Sequence, residues 1–173
     1  MSAIDKTPEN KNFLSPLNFT FVLKRSPSLN FFVQKINIPS ITLGYVNQPG
    51  PQLAIPYSGD HIEYENLSIT FKVDEDFENY LEIHNWLTSL GYPVTQTGFA
   101  RLQNSDKASG EGIKSDISLI ITDGLKNPNM EITFKDAFPI NLSELIFETV
   151  DTDLNYVTAT TTFKYAYYDI VKL

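Results

Sequence analysis

The chain has 173 residues, 42% hydrophobic and 20% charged, which suits one domain with a real core and is too apolar for a disordered segment. Its 21 acids against 13 bases leave a net charge of -8, so nucleic acid and anionic membrane surfaces should repel it, and the lone basic pair Lys24-Arg25 is too small to track phosphates. The absence of cysteine excludes disulfides, thiolate catalysis and cysteine zinc sites, and apolar runs such as "ISLIIT" are too short to span a bilayer.

Residues 1–16 are polar, carry Pro8 and Pro16 and show no period, as expected of a flexible N-terminal arm. The opening "MSAIDKTPENKN" lacks the apolar stretch of a signal peptide, so a soluble, cytosolically made protein is expected, with the sequons at Asn18, Asn66 and Asn141 unread. "LNFTFVLK" alternates, with Phe19, Phe21 and Leu23 on one side and Asn18, Thr20 and Lys24 on the other. That pattern predicts a half-buried strand. "SPSLN" reads as a turn, and "FFVQKINI" as a returning strand that closes a hairpin.

Residues 39–60 hold Pro39, Pro49, Pro51 and Pro56, which cannot donate to a sheet ladder. An extended arm with its tip at "NQPGPQ" is expected there. It would present Ile41, Leu43, Leu53 and Ile55 to a partner surface. "HIEYENLSITFKVD" is the strongest strand pattern, with Leu67, Ile69, Phe71 and Val73 opposite Ser68, Thr70 and Lys72. Ile62 and Tyr64 have the other parity, which a bulge near Glu65-Asn66 would reconcile. The spacing predicts a helix over 76–90, with a stripe of Phe77, Tyr80, Leu81, His84 and Leu87 widened by Ile83, Trp86 and Leu90. Gly91 is a suitable stop.

A long, Gly- and Ser-rich loop follows at 92–113. "KSDISLIIT" and "NMEITFKDA" predict strands joined by the "DGLKNPN" turn. "SELIFET" and "YVTATTTFKYAYYDI" predict two more, joined across "VDTDLN". In the last, Phe163, Tyr165 and Tyr167 share a face, and Thr160, Thr162 and Lys164 share the other.

Four carboxylates (Asp74, Glu75, Asp76 and Glu78) sit where strand becomes helix. Asp74 or Asp76 can cap the free N–H groups of the first turn, and Glu75 and Glu78 favour the positive end of the helix dipole. A calcium loop would need further Asp ligands and a Gly that "DEDFENYLEIHN" lacks, so no metal or cofactor is expected. His84 lies on the apolar stripe and His61 follows a turn, and no nucleophile elbow, zinc-protease motif, P-loop or dinucleotide fingerprint occurs. No enzyme is expected. Trp86 reads as a core anchor between helix and sheet, though it could instead join tyrosines in a sugar platform on a carbohydrate-binding β-sandwich. Tyr167 fits sheet packing or a subunit seam.

Several stretches together resemble the tail tube proteins of contractile-tailed bacteriophages. They are "INIPSI", then "IPYSGDHIEYENLSITFKVDED", the Trp-centred "YLEIHNWL" and the closing "EITFKDAFPINLSELIFETVDTDLNYVTATTTFKYAYYDI". The similarity covers most of residues 17–170. It implies a mainly β (α+β) fold: a small antiparallel β-barrel or sandwich with one flanking helix, residues 17–173 forming a single tube-type domain. It also implies rings of six stacked into a tube whose lumen conducts DNA, with tail sheath, baseplate or tube-initiator and tape-measure proteins as partners, in a virion tail assembled in the host cytoplasm. Baseplate hub and tube-initiator proteins share the fold and are the alternative role. The long 92–113 loop and the proline-rich arm depart from the simplest members. Six copies at -8 each would carry about -48, which would keep DNA off the wall within a Debye length of about 8–10 Å. On this resemblance Ser68, Thr70, Thr160 and Thr162 are expected to line the bore, Lys72 and Lys164 being exceptions. Ile41, Leu43, Leu53, Ile55 and Tyr167 are the expected ring contacts.

Overall fold

A computed structural model describes residues 13–91, 100, 112–149 and 156–173. Most of the expected N-terminal arm (1–16) and of the long loop (92–113) lies outside the described residues.

The elements run β1 (Phe19–Leu23), α1 (Pro27–Phe32), β2 (Val33–Ile36), β3 (Ile41–Gln48), β4 (Ile55–Tyr64), β5 (Leu67–Lys72), α2 (Glu78–Gly91), β6 (Ser115–Thr122), β7 (Pro128–Leu142), β8 (Thr158–Lys164) and β9 (Tyr167–Lys172). Seven strands form one antiparallel sheet in the order β1-β6-β7-β8-β5-β2, with β9 added beside β7. β3 and β4 pair only with each other. The fold is mainly β with α2 on its flank, a sandwich-like sheet rather than a closed barrel: among the described residues no pairing joins β1 to β2.

β7 turns the corner. Its Met130–Phe134 stretch pairs with both β6 and β9, and its Phe138–Leu142 stretch pairs with β8. At the bend Asp136 has φ 58°, a left-handed conformation that Asp tolerates better than most residues. The register against β6 slips at the same place, where Ser115 faces Ala137 but Ile117 faces Phe134. Asp116 braces this bulge. Its Oδ1 accepts the Asp136 N–H at 3.1 Å, and its Oδ2 accepts Lys135 Nζ at 2.9 Å. Opposite the bend, Tyr165 separates β8 from β9 and donates its hydroxyl to the Glu65 carbonyl at 2.9 Å. Burial, reinforced by the nearby Tyr168, Tyr64 and Glu65, pushes the Tyr165 phenol up to about 12.

Alternation places the core between the two arms of this bent sheet. Leu67, Ile69 and Phe71 from β5, Ile117 and Leu119 from β6, Ile132 and Phe134 from β7, and Phe163 from β8 are all buried in one cluster. The β6–β7 hairpin forms where its turn residues place it. Asp123 Oδ1 accepts the N–H groups of Leu125 and Asn127 at 2.8 and 2.9 Å. The backbone N–H of Asn127 foremost holds that carboxyl below its usual range.

The structure departs from the sequence expectation in several places. β1 and β2 form no hairpin, because α1 intervenes and sends them to opposite ends of the sheet. Pro27 sits at the helix start, where its missing N–H costs nothing, and Leu29 is driven into the core. Residues 65 and 66 are no bulge within one strand. The parity change there marks the passage from the separate β3–β4 ribbon to β5. "SELIFET" is not a strand. Residues 143–148 run without regular structure along α2, tied by the Tyr80 hydroxyl to the Ser143 carbonyl at 3.4 Å.

α2 buries Asn79, Ile83 and Trp86, while Leu81 and His84 of the expected stripe are exposed. Asn79 turns the buried face because its side chain joins helix to strand. Its Nδ2 donates to the Lys72 carbonyl at 2.8 Å, and its Oδ1 accepts the Asp74 N–H at 3.4 Å. Asn79→Ala removes both bonds from a fully buried site. It should lower unfolding free energy by about 1–3 kcal/mol in a urea titration with unchanged m-value.

Candidate functional site

Two surfaces have a chemistry that the core does not explain: the outer face of β5 and β8, and the β3–β4 arm.

On the first, register does the arranging. Ser68 pairs with Thr162 and Thr70 with Thr160, so the four residues expected in the bore are brought together as two adjacent cross-strand pairs. Thr70 Oγ1 and Thr160 Oγ1 lie 3.1 Å apart and share a hydrogen bond. All four are half-buried, on the face opposite Leu67, Ile69, Phe71 and Phe163. The face is polar and uncharged at its centre. Its two lysines lie at the margins and are engaged. Lys72 Nζ sits 4.2 Å over the Tyr156 ring, and Lys164 Nζ donates to the Tyr64 carbonyl at 3.2 Å.

The arm is the second surface. Every residue of β3 is exposed, and of β4 only Gly59 and Tyr64 are half-buried. Ile41, Leu43, Leu53 and Ile55 are each about half or more exposed, as are Tyr45, Val46 and Tyr57, which sequence reading did not single out. A β-ribbon with apolar residues outward on both faces was legible in the run of Tyr, Val, Leu and Ile between the prolines. The ribbon carries a bulge: Leu43 faces Ile62, whereas Tyr45 faces Ser58. Gly59 lies there so close to its partner strand that a Cβ would meet the Gly44 carbonyl oxygen at 2.7 Å. The base is tied down by the Glu65 N–H to the Ser40 carbonyl at 3.1 Å and by the Tyr168 hydroxyl to the Pro39 carbonyl at 3.2 Å. Tyr167, the remaining expected contact, is exposed on β9 among Ile170 and Val171, which are also exposed.

The carboxylates at the strand-to-helix joint do not converge. No group of three or more His, Cys, Asp or Glu that could hold a metal occurs among the described residues. Asp76 is exposed, and Asp74 is half-buried with its Oδ1 unpaired, its carbonyl accepting the Phe77 N–H at 3.2 Å. Phe77 takes φ 62° and accepts the first helical bond, from Leu81, at 2.9 Å. The bonds that fix the joint come from Asn79. Asn79 lies inside the first turn of α2, so its side chain does not cap the helix; it ties the helix back to the backbone of Lys72 and Asp74.

Glu82, one turn along, has its pKa raised chiefly by burial and further by Glu78 and Asp74, while a hydrogen bond to Ser28 lowers it. Its folded pKa lies above the unfolded one, so its contribution to stability is fully present at acid pH and is lost as pH rises past the folded value.

Trp86 is 1% exposed and packs at a tilt against Phe163, with ring centroids 6.0 Å apart. Its Nε1 donates to the Ile113 carbonyl at 3.2 Å, and the Arg25 guanidinium lies 4.8 Å from its ring centroid. An indole held this way offers no platform to a sugar.

The sequence matches the family model described as "Phage tail tube protein" over residues 6–171. The chain belongs to the phage tail tube protein family. Members of this family are structural proteins of the bacteriophage virion, not catalysts. No curated protein sequence matches.

Among solved structures, the chain is similar to one in the anti-feeding prophage cap that terminates the tube, at 11% identity and TM-score 0.66, covering 100% of both chains. It is also similar to one in the anti-feeding prophage baseplate, at 12% identity and TM-score 0.60, covering 88% of this chain and 90% of that one. A third likeness is to the sheath-tube complex of the extracellular contractile injection system PVC, at 13% identity and TM-score 0.53, covering 94% of each chain. At such identities the likeness is one of fold.

Two measurements test this description. Trp86 fluorescence should be blue-shifted and poorly quenched by acrylamide; quenching as strong as that of a free indole would remove the indole from the core. Glu82→Gln should raise the denaturation midpoint at pH 7, and the gain should shrink as pH falls below the ordinary carboxylate range, where the carboxyl takes up its proton in both folded and unfolded chains. An equal effect at neutral and acid pH would mean that burial of the charge is not what shifts this group.

Proposed function

We propose that this chain is a tail tube subunit whose residues 17–173 act as one tube-type domain, assembling into stacked rings of six around a DNA-conducting lumen. The observation that carries the proposal is the uncharged hydroxyl face of Ser68, Thr70, Thr160 and Thr162, set on a strand pair whose other side is core. Such a face hydrogen-bonds water and gives phosphates no cation to dwell on. The remaining acidity of the chain adds repulsion. The arm residues Ile41, Leu43, Leu53 and Ile55, with Tyr167 on β9, would supply contacts within and between rings. Tail sheath, tape-measure and baseplate proteins are the further partners in this reading, and the tail of the virion, assembled in the bacterial host, is its place.

A second reading places the chain at an end of the tube, as a baseplate hub, initiator or terminator. It is favoured by the likeness to the anti-feeding prophage cap, whose TM-score exceeds that of the sheath-tube complex. Electron microscopy of the purified protein separates the two. Long uniform tubes support the main tube, single rings support an end position, and a monomer at every concentration removes both.

The lumen assignment has its own test. Thr160→Lys with Thr162→Lys would place two cations per subunit on the proposed wall. Genome ejection should slow by an order of magnitude or more at low salt and recover as salt is raised, since each phosphate contact is salt-sensitive. Ejection at the wild-type rate would move the bore elsewhere.

A further inference from the structure

We infer that the open seam between β1 and β2 receives the β3–β4 arm of a second copy of this chain. The inference rests on the assembly reading above and adds the receiving surface to it. The sheet ends on β1 and β2, and among the described residues each pairs on one side only, β1 with β6 and β2 with β5. The backbone of Asn18 bonds toward β6, so alternation turns the N–H and C=O of Phe19, Phe21 and Leu23 to the free edge. Asn30 satisfies Leu23, its side chain accepting the Leu23 N–H at 2.8 Å and donating to the Leu23 carbonyl at 3.3 Å. Phe19 and Phe21 have no such stopper in the described contacts.

Two grooves of about 270 and 420 Å³ run along this seam and share Pro16, Phe19 and Gln34. The smaller is floored by Leu119 and Ile121, so it opens onto the core. The rim is apolar and exposed: Leu14 is 64%, Leu17 85% and Phe31 85% accessible. A rim of large apolar side chains around a groove marks a protein contact.

Charge selects the occupant. Copies at -8 repel wherever acids meet. Residues 41–59 of the arm hold no charged side chain at all, and among the described residues Lys35 is the one charged residue lining either groove. Arm and seam can therefore meet without burying an acid. The ribbon also brings what the seam lacks, namely a free strand edge and apolar side chains, the elements of recognition by strand addition. The first twelve residues fit less well, because Asp5, Lys6, Glu9 and Lys11 interrupt them with charge. Arm and seam are different surfaces, so the contact is head-to-tail and propagates from copy to copy.

The absence of native cysteine permits a clean test. Single variants Leu53→Cys and Gln34→Cys are mixed under assembly conditions and treated with a short bis-maleimide. Cross-linked dimer should form in the mixture about 100-fold more efficiently than in either variant alone, because assembly raises the local concentration of the pair to the millimolar range. The same sample is imaged. Rings or tubes without this cross-link overturn the seam pairing and leave the tube reading standing. Cross-linking of Leu53→Cys to Thr162→Cys instead, or of Ile4→Cys to Gln34→Cys within one chain, assigns the arm or the seam another partner and also overturns it. No assembly at any concentration overturns both readings.

Discussion

The structure depends on one bent strand pair. β7 runs unbroken for 15 residues from Pro128 to Leu142, and β9 and β8 follow it in turn on the same side. The bend needs an extra residue, a left-handed backbone at Asp136 and a partner for the displaced N–H. The Asp116 carboxylate supplies the last of these, with Lys135 beside it to balance the charge. A flat sheet of this sequence would expose the apolar face of β6 as well as that of β5. Bent, the two faces bury each other in one cluster that contains Ile117, Phe134, Ile69 and Phe163. α2 then closes the open side through Ile83 and Trp86.

A sheet that covers itself in this way keeps its ends. Strand edges invite pairing with other chains, and lone proteins blunt them with charge, proline or covering loops. Among the described residues the protection is sparse. Asn30 covers one residue of β1, and the β3–β4 ribbon carries exposed Tyr45, Val46, Leu53 and Tyr57 with no charge nearby in sequence. An exposed apolar ribbon and a strand edge so little covered among the described residues are costly in a solitary molecule and useful in one completed by copies of itself. The net charge of -8 acts in the opposite direction, limiting unwanted association by repulsion that salt screens.

Much of this was legible where period and burial coincide. The alternation of 67–72 and 115–122, the helix near 76–90, the Asp123 turn and the exposed arm all follow from local pattern. What failed was pairing at a distance. Two apolar strands separated by "SPSLN" look like a hairpin because sequence neighbours usually pair, yet Pro27 and the buried Leu29 make that spacer a helix. The parity change at Glu65-Asn66 was visible, but a bulge and a change of sheet give the same signal in one sequence. At the strand-to-helix joint the acids drew attention because they are charged. The bonds come from Asn79, whose role depends on where the Lys72 carbonyl ends up, which sequence does not encode locally.

The threonine face shows how a local rule and a distant one combine. Alternation alone determines that Thr70 faces away from Phe71 and Thr162 away from Phe163. Only the register, Ser68 with Thr162 and Thr70 with Thr160, makes four scattered hydroxyls one patch. Threonine suits both demands, since its β-branch favours the strand and its hydroxyl remains uncharged at every pH the virion meets. Serine or threonine here could be exchanged for one another without touching the core, because the residues that hold the strands sit on the other side of the same backbone. Charge could not be introduced so freely. It would alter what the proposed wall presents to a passing polyanion while leaving the fold intact.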